Sequence, residues 1–528
     1  ITMLKNTEIA EDISVDNING KKITFDGCNK TLVTNKKIVV NQKSGTMEFI
    51  NMKIEHGGTD TVLRIGNKAT TYVETLTVNL NNFDITSKST YEFGLIQAGY
   101  GTMALDMDMT DVDIVWDTTD NSKTTIEKGA IFAGLSGKTT TLNLTMTGCT
   151  VDVTKANGAK ALHAESGVTG LVNIIDTEIK TATDVDTPVY HNKMTLSIDK
   201  NSTFYQGETQ SVALVDGVQY SVLADAVNAM NDKSSDTTMN LVQDVTHTSQ
   251  IKINVKNNQS GIITINGNGH TLTGDFDGVT DAHFIYFEKH LGTVNLNNIT
   301  IEHKNTDKNL MTFGKEDTKS TDDDIKKMTV NFKDVTMNSE STNVYSIINA
   351  VQLTNFDITL DNVTLDWETT VAAKTERAAI RYGNNKAPKR TVNLVIKDST
   401  LDMSGAVGSG IVWAPNAIQE GSTITVENST IKPYAGQDAY KGTADDFAPA
   451  VYMEKNGYPT LAEAVSVANN STEDVTITML RNVEISGDIT VNNVNGKKIT
   501  LDGCNKTLDM DNKIVVNQKS GIHGQLQL

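Results

Sequence analysis

Carboxylates crowd most closely at Asp322–Asp323–Asp324 and in GDFDGVTDAH, which carries Asp275, Asp277 and Asp281. A pair of acids is the chemistry of glycoside hydrolysis, and oxygen-rich loops suit calcium. Neither group has EF-hand spacing, so both read first as solvated loop acids. Calcium at Asp275, Asp277 and Asp281 is the one cofactor left open. A polysaccharide lyase would need a Lys or Arg base beside such a site. The basic cluster is KTERAAIRYGNNKAPKR (374–390), with Arg377 and Arg381 as its candidate ligand residues. The corresponding stretch of the first half, EKGAIFAGLSGKTT (127–140), does not repeat it. Trp116 and Trp367 stand at equivalent places; exposed they would stack on sugar rings, and buried they would fill a corner of the core. The core reading is preferred. Ser, His and Cys form no nucleophile motif, and the nine His show no metal spacing.

The elements that hold these residues follow from repetition. Ile1–Gly45 returns at Ile477–Gly521 with a constant offset of 476, and a looser copy lies midway at Met239–Leu272. The array is therefore A–B–A′. Its internal comparison needs no other protein. ITFDGCNKTL (23–32), ITINGNGHTL (263–272) and ITLDGCNKTL (499–508) keep the Gly and the closing Thr–Leu. They exchange Asp26 and Asp502 for Asn266, Cys28 and Cys504 for Asn268, and Lys30 and Lys506 for His270. Asp and Asn interchange in a turn but not in an acid–base pair. Shape is kept; chemistry is not.

A shorter repeat runs inside each unit as a strand, a bend of Asn, Asp or Gly, and a second strand. The aliphatic after the bend falls at 54, 85, 114, 151 and 179 in A, and at 301, 337, 365, 401 and 431 in B. Each copy is one turn of a parallel β-helix, with its inward side chains stacked on the next. In TVNLNNITIEH (293–303) Val294, Leu296, Ile299 and Ile301 face inward around Asn297–Asn298. Asn19–Gly20 and Asn495–Gly496 are possible local hairpins. Helical period occurs in YSVLADAVNAMN (220–231) and YPTLAEAVSVAN (458–469), each with one apolar stripe ahead of a unit's first strands. Each is read as a cap over an open sheet end, with Pro459 in the first turn. Unit A is then 1–215, unit B 216–453, and the start of A′ 454–528, with joints at Asp216–Gly217 and Lys455–Asn456.

A net charge of −19 disfavours nucleic acid and anionic membranes as partners. No apolar run is long enough to span a bilayer. Three Cys, two of them at one repeat position, give no disulfide framework and read as buried free thiols.

On NGYPTLAEAV (456–465), VTITMLRNVEIS (475–486), ITLDGCNKTL (499–508), DGVQYSVLADAV (216–227) and ITINGNGHTL (263–272), the chain resembles tandem-repeat surface proteins of gut-type Gram-positive bacteria. The coil repeats are also similar to β-helix adhesin-like proteins of methanogenic archaea. The resemblance implies a right-handed, pectate-lyase-like β-helix (a β-solenoid) at the bacterial cell surface or otherwise secreted. The expectation is an all-β, non-enzymatic, extracellular stalk, adhesin or filament. Its partners would be itself head to tail, or surface glycans or host matrix, without membrane insertion. A lyase or hydrolase on the same fold and a glycan-binding module are the alternatives.

Overall fold

The computed structural model describes all residues except 17–19, 70, 72–73, 120–125, 127, 256–259, 277–282, 289–291, 305, 315–325, 344, 351–353, 373–376, 384–390, 416–419 and 518–528. The chain divides into unit 1, Ile1–Ala226 with Met239–Gln243, and unit 2, Val227–Thr238 with Asp244–Leu528. Both are nearly all β, and most strand pairs are parallel.

The bends make the fold. All ten expected copies hold a residue in the left-handed region: Asn51, Asn82, Asp111, Gly148 and Asp176 in unit 1, and Asn298, Asp334, Asn362, Asp398 and Asn428 in unit 2. Asn and Asp tolerate positive φ best among residues with a Cβ, and Gly148 has no Cβ to clash. Each bend shifts the alternation by one residue. Along Thr293–Lys304, Val294 and Leu296 are buried before it, and Ile299, Ile301 and His303 after it. The inward set is the expected one, extended by a histidine.

Bend side chains also pair from copy to copy. Asn82 Nδ2 donates to Asn51 Oδ1 at 3.1 Å, and Asn362 Nδ2 to Asp334 Oδ1 at 2.6 Å; Asn428 Nδ2 donates to Asp398. In unit 2 the row alternates Asn and Asp, so donors meet acceptors and carboxylates are kept apart. Asn362→Asp would set a carboxylate between Asp334 and Asp398. It should cost about 1–2 kcal/mol from a lost hydrogen bond and like-charge repulsion, more than Asn362→Ala and less in high salt. Urea denaturation at two salt concentrations checks this. Equal costs for the two variants would remove the charge pattern from the explanation.

Long bent strands such as Gly45–His56 and Leu76–Ser87 pair in register within one sheet of unit 1. A second sheet takes short strands in chain order, from Ile13–Val15 through Ile38–Val40 and Leu63–Ile65 to Val189–Tyr190. The chain thus visits the two sheets alternately. Unit 2 repeats the plan with Thr293–Lys304, Lys326–Ser339 and Thr354–Trp367 in the long-strand sheet. Its short strands run from Ile251–Ile253 to Tyr440–Gly442. Several are buried on both faces, as in Asn309–Phe313 and Ser409–Ala414. In unit 1 the side chains between the sheets form one continuous apolar cluster.

Among the described residues two α-helices occur, Leu223–Asn231 and Leu461–Ala468. Leu223, Ala226, Val227 and Met230 are buried on the first, and Leu461, Ala464, Val465 and Ala468 on the second. Thr460 is the N-cap of the second, its hydroxyl accepting from the Glu463 amide at 3.2 Å. Pro459 therefore lies before the cap, not in the first turn. Neither helix is long and apolar enough to cross a membrane.

The expected joints are hairpin turns. Val215 pairs with Val218 around Asp216–Gly217, and Met453 with Asn456 around Glu454–Lys455, all four turn residues at positive φ. Such two-residue turns match the twist of antiparallel strands. At Asn495–Gly496 no hairpin forms, because Ile489–Val491 and Ile499–Asp502 each pair in parallel with other strands. Asn19 lies outside the described residues.

The two near-identical segments show what covers each side of these strands. Leu480 is 8% exposed, whereas its equivalent Leu4 is 90% exposed. On the other side the order reverses. Val40, paired through Leu63–Ile65, is 0% exposed, and its equivalent Val516 is 46% exposed. Helix Leu461–Ala468 shares one apolar cluster with Ile477, Ile485 and Ile489, so it covers the near side of A′.

Candidate functional site

The residues with most chemical potential meet at a corner built twice. In unit 1 His56 ends one long strand and Ser87 the next, and the two residues are register partners. His56 Nδ1 lies 3.1 Å from Ser87 Oγ, and the Ser89 amide donates to the same oxygen at 3.1 Å. Trp116 Nε1 then donates to the Ser89 carbonyl at 2.7 Å. Unit 2 reproduces each contact. His303 Nδ1 is 3.2 Å from Ser339 Oγ, which accepts from the Ser341 amide at 3.2 Å, and Trp367 Nε1 donates to the Ser341 carbonyl at 2.8 Å.

A histidine beside a serine is the contact from which nucleophilic centres are made. Here both partners are buried, and burial pulls the His56 pKa below its ordinary value and the His303 pKa down to about 3. His303 stacks on Phe284 at 6.0 Å with Phe276 edge-on at 6.0 Å. The arrangement ties the end of one long strand to the next and satisfies the indole N–H. The duplicated signal was present in the sequence as IEH at 54–56 and 301–303 and as SKST and SEST at 87–90 and 339–342. Scattered His gave no metal spacing, and the pairing across copies depends on register.

The candidates for ligand contact separate. Trp116 and Trp367 are fully buried, so neither ring presents a face to solvent. Arg377 is buried too. Its Nη1 donates to the Val371 and Val407 carbonyls at 2.6 and 2.9 Å, its guanidinium lies 5.2 Å from the Trp367 ring, and burial lowers its pKa. Arg381 is half-buried, between the rings of Tyr345 at 5.0 Å and Trp413 at 4.7 Å. Neither Tyr345 nor Trp413 was singled out from sequence, because they belong to different short strands and their surroundings. Unit 1 carries rings on the corresponding sheet, where His163 lies 5.8 Å from Phe132 and 4.9 Å from Tyr190.

Asp275 ends the strand Thr271–Asp275 and is half-buried; Asp277, Asp281 and Asp322–Asp324 lie outside the described residues. Lys374, Lys386, Lys389 and Arg390 of the basic cluster do too. Among the described residues no three His, Cys, Asp or Glu side chains gather as metal ligands. Asp26 Oδ1 accepts from the Cys28 amide at 2.9 Å and Asn51 Nδ2 at 3.3 Å, and these bonds hold its pKa below the usual range. Asp502 Oδ1 accepts from the Cys504 amide at 3.0 Å. Asn266 Oδ1 accepts from Asn297 Nδ2 at 3.0 Å, so the amide also serves as an acceptor toward the next copy. Cys28 and Cys504 are exposed rather than buried, and each sits in a left-handed bend. Only Cys149 is a buried thiol, its pKa raised to about 11 by burial.

No protein-family model matches the chain, and a search of curated proteins returned no match.

Proposed function

We propose that the chain is part of a non-catalytic, extracellular repeat protein that serves as a stalk, adhesin or self-associating filament at a cell surface. Its units would be right-handed parallel β-helices, A over 1–215, B over 216–453 and the start of A′ over 454–528. The alternation of the chain between two parallel sheets supports that architecture. The observation that carries the functional reading is the use of reactive side chains at equivalent positions. His56 and His303, Trp116 and Trp367, and Asp26 and Asp502 are all engaged in holding strands and bends together. An enzyme would reserve such groups for a substrate. A glycan-binding reading rests on another observation, the Tyr345–Arg381–Trp413 stack, whose rings and cation suit a carboxylated sugar.

Incubating the chain with a panel of acidic polysaccharides and calcium should release no unsaturated ends, followed by absorbance. Turnover that disappears in Arg381→Ala would replace the structural reading with a lyase. Arg377→Ala is the poorer probe, since that side chain is buried against Trp367.

A further inference from the structure

We propose that the outer face of the short-strand sheet in unit 1 binds an uncharged, linear polysaccharide laid across its strands. Such binding rests on the adhesive reading above and makes it specific, at a site separate from the Arg381 stack. Register puts Arg64, Gln97, Phe132, His163 and Tyr190 in one row, across successive strands from Leu63–Ile65 to Val189–Tyr190. The core does not call for them. Its side of the same strands is filled by Ile96, Ile131, Leu162 and Val189. Phe132 is 1% exposed yet stands outside that continuous apolar cluster. By contrast, the long-strand sheet of unit 1 carries Asn79, Asp108, Thr145 and Asn173 in an outward row. Aromatic residues are 5% of the chain, so a run of rings on one outer face is a selective placement.

The run of rings extends beyond the row. Phe93 lies 5.5 Å from Phe132 at an interplanar angle of 72°, and Tyr91 lies 5.5 Å from Phe93. Tyr91, Phe93 and His163 are half-buried and Tyr190 is 42% exposed, so the strip meets water along its length. Polar atoms are set among the rings. Gln97 is 1% exposed, and its Oε1 accepts from Arg64 Nε at 2.6 Å. Its Nε2 has no partner beyond a weak contact to the Tyr91 hydroxyl. His163 Nδ1 has no hydrogen-bond partner among the described residues.

A sugar ring matches this mixture. Its C–H face packs on aromatic carbon, and the hydroxyls at its edge both donate and accept. A purely apolar occupant would leave the Gln97 amide and the His163 nitrogen buried without partners. A carboxylated chain fits no better. Lys128 is paired with Glu165 at 3.1 Å, and Arg64 and Lys37 both meet Asp60, so the cations beside the strip are already engaged. Burial holds His163 neutral, its pKa down to about 4, and it adds no charge. At the matching registers unit 2 has Asn349, Arg381, Trp413 and Lys441, an amide and a ring among cations. The unit 1 row crosses the strands in steps of about 4.8 Å, close to the advance of one unit in an extended sugar chain. From Gln97 to Tyr190 it spans about 14 Å, enough for about three sugar units.

The whole chain is run on native gels cast with mixed-linkage β-glucan, xyloglucan, galactomannan, dextran or polygalacturonate. At least one of the uncharged polymers should retard it, equally in low and high salt. Tyr190→Ala should weaken that retardation about tenfold, and Tyr190→Phe should keep most of it. Phe93→Ala should weaken it likewise, with circular dichroism unchanged in every variant. No retardation by any uncharged polymer overturns the proposal. So does retardation that Tyr190→Ala and Phe93→Ala leave intact in folded protein. Retardation by polygalacturonate alone, lost in Arg381→Ala and in high salt, would place glycan binding in unit 2 and overturn the unit 1 site. Shortening of a bound polymer would sink the non-catalytic reading and leave the strip standing, so the two failures are distinguishable.

Discussion

Leu296→Asp should lower the melting temperature of unit 2 sharply, while Thr300→Asp, four residues along the same strand, should leave it nearly unchanged. Leu296 is 1% exposed and sits between its register partners Ile265 and Phe332. Loss of its side chain alone would cost about 2–5 kcal/mol, and a buried unpaired carboxylate adds several more unless the strands part. Thr300 faces outward, half-buried, in a row with Thr271 and Thr336. A carboxylate there meets water on one side and hydroxyls on the other, so about 0–1 kcal/mol is expected. Thermal denaturation followed by circular dichroism compares the two. Comparable losses would mean that the bend at Asn298 does not set which residues face inward.

That contrast can be read from sequence because the bend is local. Asn, Asp and Gly announce positive φ, and the aliphatics on either side announce the faces. Helices were legible for the same reason, since about two turns of chain carry the whole apolar stripe. The short-strand sheet was not. Ile96–Ala98 and Ile348–Ala350 are three residues each and buried throughout, so they show no alternation against which a period can be counted. The hairpins around Asp216–Gly217 and Glu454–Lys455 were not legible as turns, because the residues that suit a tight turn also suit the joints expected at Asp216–Gly217 and Lys455–Asn456. The Cys28 and Cys504 thiols were misplaced by the ordinary preference of free Cys for the interior; both are exposed.

The candidate site was legible only as a set of residue types. Equivalent placement of Trp116 and Trp367 was visible, and so was their use as corner fillers. Their partners were not, because Ser89 and Ser341 are reached from a neighbouring strand through backbone carbonyls. The same applies to Arg381, whose place between Tyr345 and Trp413 depends on three separate stretches of chain. Register is a long-range property, and it was the one missing from the residue-by-residue reading.

Acid should destabilise unit 2 in part through His303, and His303→Gln should remove that part of the sensitivity. The folded protein holds this imidazole neutral, its pKa lowered to about 3 by burial with Phe276 and Phe284 around it and Ser339 as its bonded partner. In the unfolded chain it regains an ordinary pKa of about 6.5. Between these values the unfolded state binds more protons, so stability rises with pH across the window and is lost as pH falls from about 6.5 to about 3. The full difference is on the order of 5 kcal/mol, spread over that range. Carboxylates add to the loss only toward the acid end; from pH 6.5 to 5 His283, pulled down to about 4 by burial, and His247, also lowered by burial, slope the same way, so His303→Gln removes His303's share alone. Urea midpoints of unit 2 across that interval, followed by near-ultraviolet signals, should slope downward toward acid in the native chain. They should be flatter in His303→Gln, whose amide can still meet Ser339. An unchanged slope in that variant would assign the acid sensitivity to other groups and leave the duplicated His–Ser corner as a contact without a titration.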